Sequence, residues 1–114
     1  MFQFDDDLQM YTTVIDGVTV AYDEMPDSDE EARHFANLYA EKLDEIAAFI
    51  ISEGIEDCYG PQTVESVKAH LGTPEIEPER DTINFLEHTF DDVHIIDIEY
   101  NGEMEKFLYM SIDG

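Results

Sequence analysis

The chain has 114 residues and carries 29 aspartates and glutamates against 5 lysines and arginines, a formal net charge of −24 at pH 7. Phosphate recognition needs clustered cations, and no basic patch of any length is present; this excludes a nucleic-acid-binding role, and an anionic membrane surface would repel the chain for the same reason. The length suits a single domain spanning 1–114, and 43% apolar with 11% aromatic residues supplies a core that a disordered acidic chain would lack.

From the N-terminus, Met1 to Leu8 places Asp5, Asp6 and Asp7 where a secretory signal would need basic residues followed by an apolar run, which argues against export. Leu8 to Tyr22 reads as a β-hairpin, because Asp16-Gly17 suits the positive backbone angles of a two-residue turn. That register pairs Ile15 with Val18, Thr13 with Val20 and Tyr11 with Tyr22, so one apolar set shares a face. Pro26 and Asp27 break the strand, and Ser28 followed by Glu31 predicts a capping box.

The helix that follows should run to Glu53 and stop at Gly54, since Ala32, Phe35, Tyr39, Leu43, Ile46 and Ile50 recur at three- and four-residue spacing. Glu30, Asn37, Glu41, Asp44 and Glu45 occupy its other face. Its apolar run from Ile46 to Ile51 is far short of the roughly 20 residues needed to cross a bilayer. A second helix is predicted from Thr63 to Leu71, with Val64, Val67 and Leu71 inward, Gly60-Pro61 as the preceding turn and Gly72 as the stop. Gly72 to Arg80, with Pro74 and Pro78, reads as a polar connection. Three strands complete the chain, Thr82 to Thr89, Val93 to Tyr100 and Glu103 to Ile112, the last two joined at Asn101-Gly102. The expected fold is α+β in the order β-β-α-α-β-β-β, an antiparallel sheet of about five strands with one long and one short helix packed on one face.

The segment from His88 to His94 holds the densest group of potential metal ligands. A three-residue loop, Phe90 to Asp92, would set the two histidines opposite each other on adjacent strands, about 5 Å apart at their β-carbons, with Asp91 or Asp92 adding an oxygen. A polar turn with histidines at the strand ends explains the same spacing, and no metal is assigned; a metal or enzymatic centre on His88, Asp92 and His94 stands as the alternative. Asp5, Asp6 and Asp7 lack the alternate-position spacing and the glycine of a calcium loop and read as a solvated acidic start. His34 lies within a turn of Glu30 and should pair with it.

Cys58 is the single cysteine, which leaves no intrachain disulfide or thiolate cluster and points to a reducing cytoplasm. Flanked by Glu56 and Asp57, it reads as an inert thiol, buried or half-buried. No nucleophile elbow, phosphate loop or dinucleotide fingerprint is present, and paired carboxylates are inevitable at this composition, so no catalytic residue and no cofactor are assigned.

Solubility, adaptation to high salt, or an interaction surface for a basic partner would each explain the acidity. The large apolar residues Ile50, Ile51, Ile95, Ile96 and Ile98 sit awkwardly with the high-salt reading. The stretch from Phe90 to Gly102 and the ending Tyr109-Met-Ser-Ile-Asp-Gly114 resemble small acidic bacterial proteins grouped as domains of unknown function. That resemblance implies a bacterial cytosolic source and no activity. In size, charge and layout the chain is similar to immunity proteins, which neutralise basic nuclease toxins. The leading expectation is therefore a noncatalytic binding protein for a basic protein partner, of immunity-protein or nucleic-acid-mimic type, with Asp5, Asp6, Asp7, Asp91 and Asp92 as contact residues. Association of copies through exposed strand edges is the third reading.

Overall fold

The computed structural model describes residues 1–113. Its hairpin pairs β2 (Met10–Ile15) with β3 (Val18–Tyr22) in the expected register, Tyr11 to Tyr22, Thr13 to Val20 and Ile15 to Val18. Asp16 and Gly17 both take positive φ, 50° and 79°, as the turn requires. Ahead of it lies β1 (Gln3–Asp5), a three-residue strand too short to show a period in the sequence.

Helix α1 (Glu30–Ser52) follows the predicted apolar spacing, with Ala32, Phe35, Tyr39, Ile46 and Ile50 buried. Its start corrects the expected capping box. Asp29 occupies the cap position without a side-chain cap bond. Its carboxylate instead takes Arg33 Nε at 2.9 Å, and Ser28 Oγ accepts only a long bond of 3.4 Å from the Glu30 amide. Gly54, at φ 98°, turns the chain into α2 (Ile55–Tyr59), a five-residue helix absent from the sequence reading that buries Ile55. The capping box of this fold lies at α3 (Val64–Leu71), where Thr63 and Ser66 exchange side-chain and backbone bonds. None of these helices is long and apolar enough to cross a membrane.

The sheet corrects the expectation of about five antiparallel strands. Among the described residues it has seven, in the order β1 to β7 with neighbours in sequence order, and it is mixed. The residues read as a polar connection contain β4 (Glu75–Glu77), which pairs parallel with β3, Thr19 to Glu75 and Val20 to Ile76. The three helices thus form the crossover of a β-α-β unit, the connection a parallel pair requires. The prolines at 74 and 78 hide this strand, yet they lie just outside it, and the Pro74 carbonyl accepts from the Thr19 amide at 3.0 Å.

Antiparallel pairing then continues through β5 (Thr82–Phe85), β6 (Ile95–Asn101) and β7 (Lys106–Asp113). Asn101-Gly102 does not make the predicted two-residue turn, because Asn101 pairs with Lys106 and leaves a four-residue loop. Burial of Met104 decides this: its side chain is fully enclosed, its backbone adopts φ 57°, and Lys42 Nζ donates to its carbonyl at 2.8 Å.

Residues paired across strands share a face. Ile15, Val18, Val20, Tyr22, Ile76, Ile83, Phe85, Ile96 and Ile98 form the face that meets Phe35, Tyr39, Ile46, Ile50, Ile55, Val67 and Leu71 of the helices in one core. All three helices lie on that side. Tyr100 also enters this core, its ring 6.0 Å from that of Phe35, but its hydroxyl is buried without a partner among the described residues. Tyr100→Phe should accordingly raise stability by about 1 kcal/mol, since it removes an unsatisfied buried group while keeping the ring. Urea unfolding measures this, and a loss of stability would show that the hydroxyl is bonded in solution.

Candidate functional site

The other face of the sheet carries the acidic residues of the strands. One row across it runs Thr19, Glu75, Asn84, Asp97 and Ser111, and the next runs Glu77, Thr82, Glu99 and Tyr109. Asp113, opposite Ile95, extends the first side of β7. The alternation that points Ile76 and Ile98 into the core points Glu75, Glu77, Asp97 and Glu99 away from it, about 6–7 Å apart along each strand.

These carboxylates repel one another, and the local bonding shows how the fold contains that repulsion. Asn84 Nδ2 donates to Glu75 Oε1 at 2.6 Å and to Glu77 Oε2 at 2.7 Å, bridging two acids of one strand from the next. Glu75 is only 4% exposed. Burial pushes its carboxyl up to about 7, the hydrogen bond with Glu77 and the charges of Glu77 and Asp97 adding to the rise while Asn84 opposes it. Burial likewise lifts Asp97 to about 6, together with its hydrogen bond to Asp113. Glu75 therefore keeps its proton up to near neutral pH, whereas Asp97 does so only in weak acid.

Arg80 stands at the rim and is already committed, through Nη2 to Asp23 Oδ1 at 2.9 Å and through Nη1 to Glu77 Oε1 at 3.0 Å. Between Arg80 and β7 a cavity of about 310 Å³ opens over Glu77, Thr82, Asn84, Asp97 and Glu99. Its edge bears Tyr109, half exposed, whose phenol is raised first by its hydrogen bond to Glu99. A second cavity, of about 220 Å³, lies beside Thr19 and Glu75 and reaches the β1–β2 turn. Carboxylates, a carboxamide and hydroxyls around such cavities form a set that takes cations.

The sequence-predicted contact residues fall in two places. Asp5 and Asp7 line the second cavity, while Asp6 is exposed in the same turn. Asp5 also builds that turn, its Oδ1 accepting from the amides of Asp7 at 2.9 Å and Leu8 at 3.0 Å. Asp91 and Asp92 lie instead in the loop between β5 and β6. Asp92 is exposed, but the Asp91 carboxylate is fully used: the Tyr59 hydroxyl and the ring of His94 bond Oδ2, and the amides of Val93 and His94 bond Oδ1. The Tyr59 hydroxyl first, with the His94 bonds behind it, holds this carboxyl well below the usual range. Asp91 is a loop organiser tied to α2.

The histidines do not form the expected cross-strand pair, because β5 ends at Phe85 and β6 begins at Ile95, leaving both in the loop between them. His88 is buried and both ring nitrogens are engaged: Nδ1 accepts from the Phe90 amide at 3.2 Å and Nε2 donates to the His94 carbonyl at 2.7 Å. Among the described residues no group of three or more His, Cys, Asp or Glu side chains is arranged to hold a metal ion. His88→Ala should therefore cost about 2 kcal/mol in urea unfolding, and His94→Ala, at an exposed side chain, less than about 1 kcal/mol. Equal costs would contradict this division. His34 corrects its expectation as well, pairing with Glu103 of the β6–β7 loop rather than with Glu30. Cys58 is exposed, not buried.

Glu75, Glu77, Asp97, Glu99 and Asp113 were absent from the sequence-based set of contact residues. The signal that marks four of them is a repeated acid-isoleucine-acid alternation, Glu75-Ile76-Glu77 and Asp97-Ile98-Glu99, which is strand periodicity with one charged face. In comparisons with known proteins, no family model, no curated protein and no solved structure matches this chain.

Proposed function

We propose that this chain is a small noncatalytic acidic binding protein whose helix-free sheet face receives a basic protein partner, in the manner of an immunity protein or nucleic-acid mimic. The observation that supports it most is the double row of carboxylates on the side of the sheet opposite the helices, with the rim cation Arg80 already paired. Charge complementarity selects the occupant: each lysine or arginine brought to this face relieves repulsion among its carboxylates. A general acid or base could draw on the raised carboxyls of Glu75 and Asp97. Their neighbours are more carboxylates, Asn84 and hydroxyls, a lining suited to holding positive charge. The bacterial, cytoplasmic setting suggested by the sequence belongs to the same reading.

Titrating the labelled protein with decalysine tests it. Amide resonances of β4 to β7 should shift first, at Glu75, Asn84, Asp97 and Glu99. Shifts confined to the outer face of α1, or no binding, would overturn the proposal.

A second reading, association between copies, draws on one observation: β7 is an eight-residue edge strand with Leu108 and Tyr109 about half exposed. Sedimentation decides it, since a dimer that a Leu108→Lys variant abolishes would establish the contact and a monomer would dismiss it.

A further inference from the structure

The sheet ends on one side at β1, with three residues, and on the other at β7, with eight. Short length, prolines, lysines and bulges are what keep an edge strand from pairing with another chain. In β7 such devices gather at its start, where Lys106 lies and where Leu108 is an extra residue between Phe107, opposite Tyr100, and Tyr109, opposite Glu99. From Tyr109 to Asp113 the strand pairs with β6 residue for residue and carries no proline, glycine or cation. Among the described residues no strand pairs with its outer edge.

The side chains of this stretch divide between the two faces. Tyr109, Ser111 and Asp113 lie on the acidic face, beside Glu99, Asp97 and Ile95 of β6, whereas Met110 and Ile112 lie on the helix side beside Ile98 and Ile96 and are half-buried. A strand added here continues both sets of rows, so it fits if cationic and apolar side chains alternate along it. The cavity of about 310 Å³ reaches this edge, because Tyr109 and Ser111 line it together with Asp97 and Glu99. Ser111 is the small residue of its row, and neighbouring strands stand only about 4.8 Å apart. A long cationic side chain set opposite Ser111 therefore extends over it toward Asp97. Charge selects the occupant: a second copy would bring a further net charge of −24 to this edge, while a basic segment brings the opposite sign.

Resting on the proposed function, we propose that the basic partner adds an extended segment of alternating cationic and apolar residues to the outer edge of β7 at Tyr109–Asp113, as the next strand of the sheet. Backbone hydrogen bonds along the edge fix the register of the segment. Its apolar side chains lengthen the rows of Met110 and Ile112, and its cations cross Ser111 into the cavity over Asp97 and Glu99. The edge adds a discrimination that diffuse attraction lacks. A basic helix has no free amides along its length to offer, so this edge selects extended basic segments over helical ones.

The test compares a peptide alternating lysine and valine with the same peptide N-methylated at two consecutive central residues, which leaves the charge equal. Successive amides of a strand point to opposite edges, so the paired methyl groups block both. Calorimetry gives the affinities, and amide hydrogen exchange of the labelled protein reads the edge. The unmodified peptide should bind about tenfold more tightly, roughly the worth of one or two backbone hydrogen bonds. The alternate amides from Tyr109 to Asp113 that do not bond β6 should exchange about tenfold more slowly when it is bound. Equal binding of the two peptides, or binding that leaves these amides unprotected, overturns strand addition and leaves the acidic-face proposal standing. Protection already present in the free protein and lost on dilution overturns it too, because a second copy then holds the edge. Absence of binding to either peptide overturns both proposals.

Discussion

The double substitution Glu75→Gln, Asp97→Asn should make the protein more stable in mild alkali, with a much smaller gain in weak acid. Both carboxyls are raised in the fold, Glu75 from 4.5 to about 7 and Asp97 from 3.8 to about 6. The folded state thus binds more protons than the unfolded chain in the window between those values, and stability must fall as pH rises through it. The stabilising contribution is complete below the unfolded pKa values and is lost as pH passes the folded ones. The full shift of Glu75 would correspond to about 3 kcal/mol, but this face meets solvent and Asp97 is only partly enclosed, so on the order of 2 kcal/mol is expected for the pair at about pH 8. Urea unfolding of both proteins at about pH 5 and about pH 8 measures the difference. A gain that is the same at both pH values would mean that the substitutions act through packing.

Added sodium chloride should raise the melting temperature substantially. The net charge of −24 leaves most carboxylates without a cation, and among the described residues the lysine and arginine ion pairs are Arg33 with Asp29, Lys68 with Asp44 and Glu65, and Arg80 with Asp23 and Glu77. Physiological salt shortens the screening length to about 8 Å, less than the span of the sheet face, so the summed repulsion weakens while the closest contacts persist. Each kcal/mol of repulsion removed is worth roughly 4–8 °C in a domain of this size. A melting temperature that is flat or falls with salt would show that the local pairs outweigh the net repulsion.

The parts of the fold with strong local signals were legible in the sequence. Asp16-Gly17 specified the register of the β2–β3 hairpin, though β2 starts at Met10 rather than Leu8, and the apolar spacing of α1 identified its buried face. Thr63 and Gly72 marked the limits of α3. Strand β4 was not legible, because three residues between two prolines show too little period and its parallel partner, β3, is remote in sequence. The acidic face followed it out of view: Glu75 and Glu77 meet Asn84 and Asp97 only once β4 is in place between β3 and β5. The loop from Leu86 to His94 was misread for a related reason. Its alternation resembles a hairpin, whereas burial of His88 and the four bonds to Asp91 hold it out of the sheet.

The central claim, that a particular face recognises positive charge, is tested most directly by two variants of equal net charge. One neutralises the sheet face through Glu77→Gln, Asp97→Asn, Glu99→Gln and Asp113→Asn. The other neutralises the exposed side of α1 and its end through Glu30→Gln, Glu41→Gln, Glu45→Gln and Glu53→Gln. The measurement is the association rate with decalysine at low salt, followed by stopped flow. The sheet-face variant should associate about tenfold more slowly than wild type, and the helix variant within about twofold of it. Equal slowing in the two variants would contradict the account, showing that net charge alone attracts the cation and that the acidic sheet face has no special part in recognition.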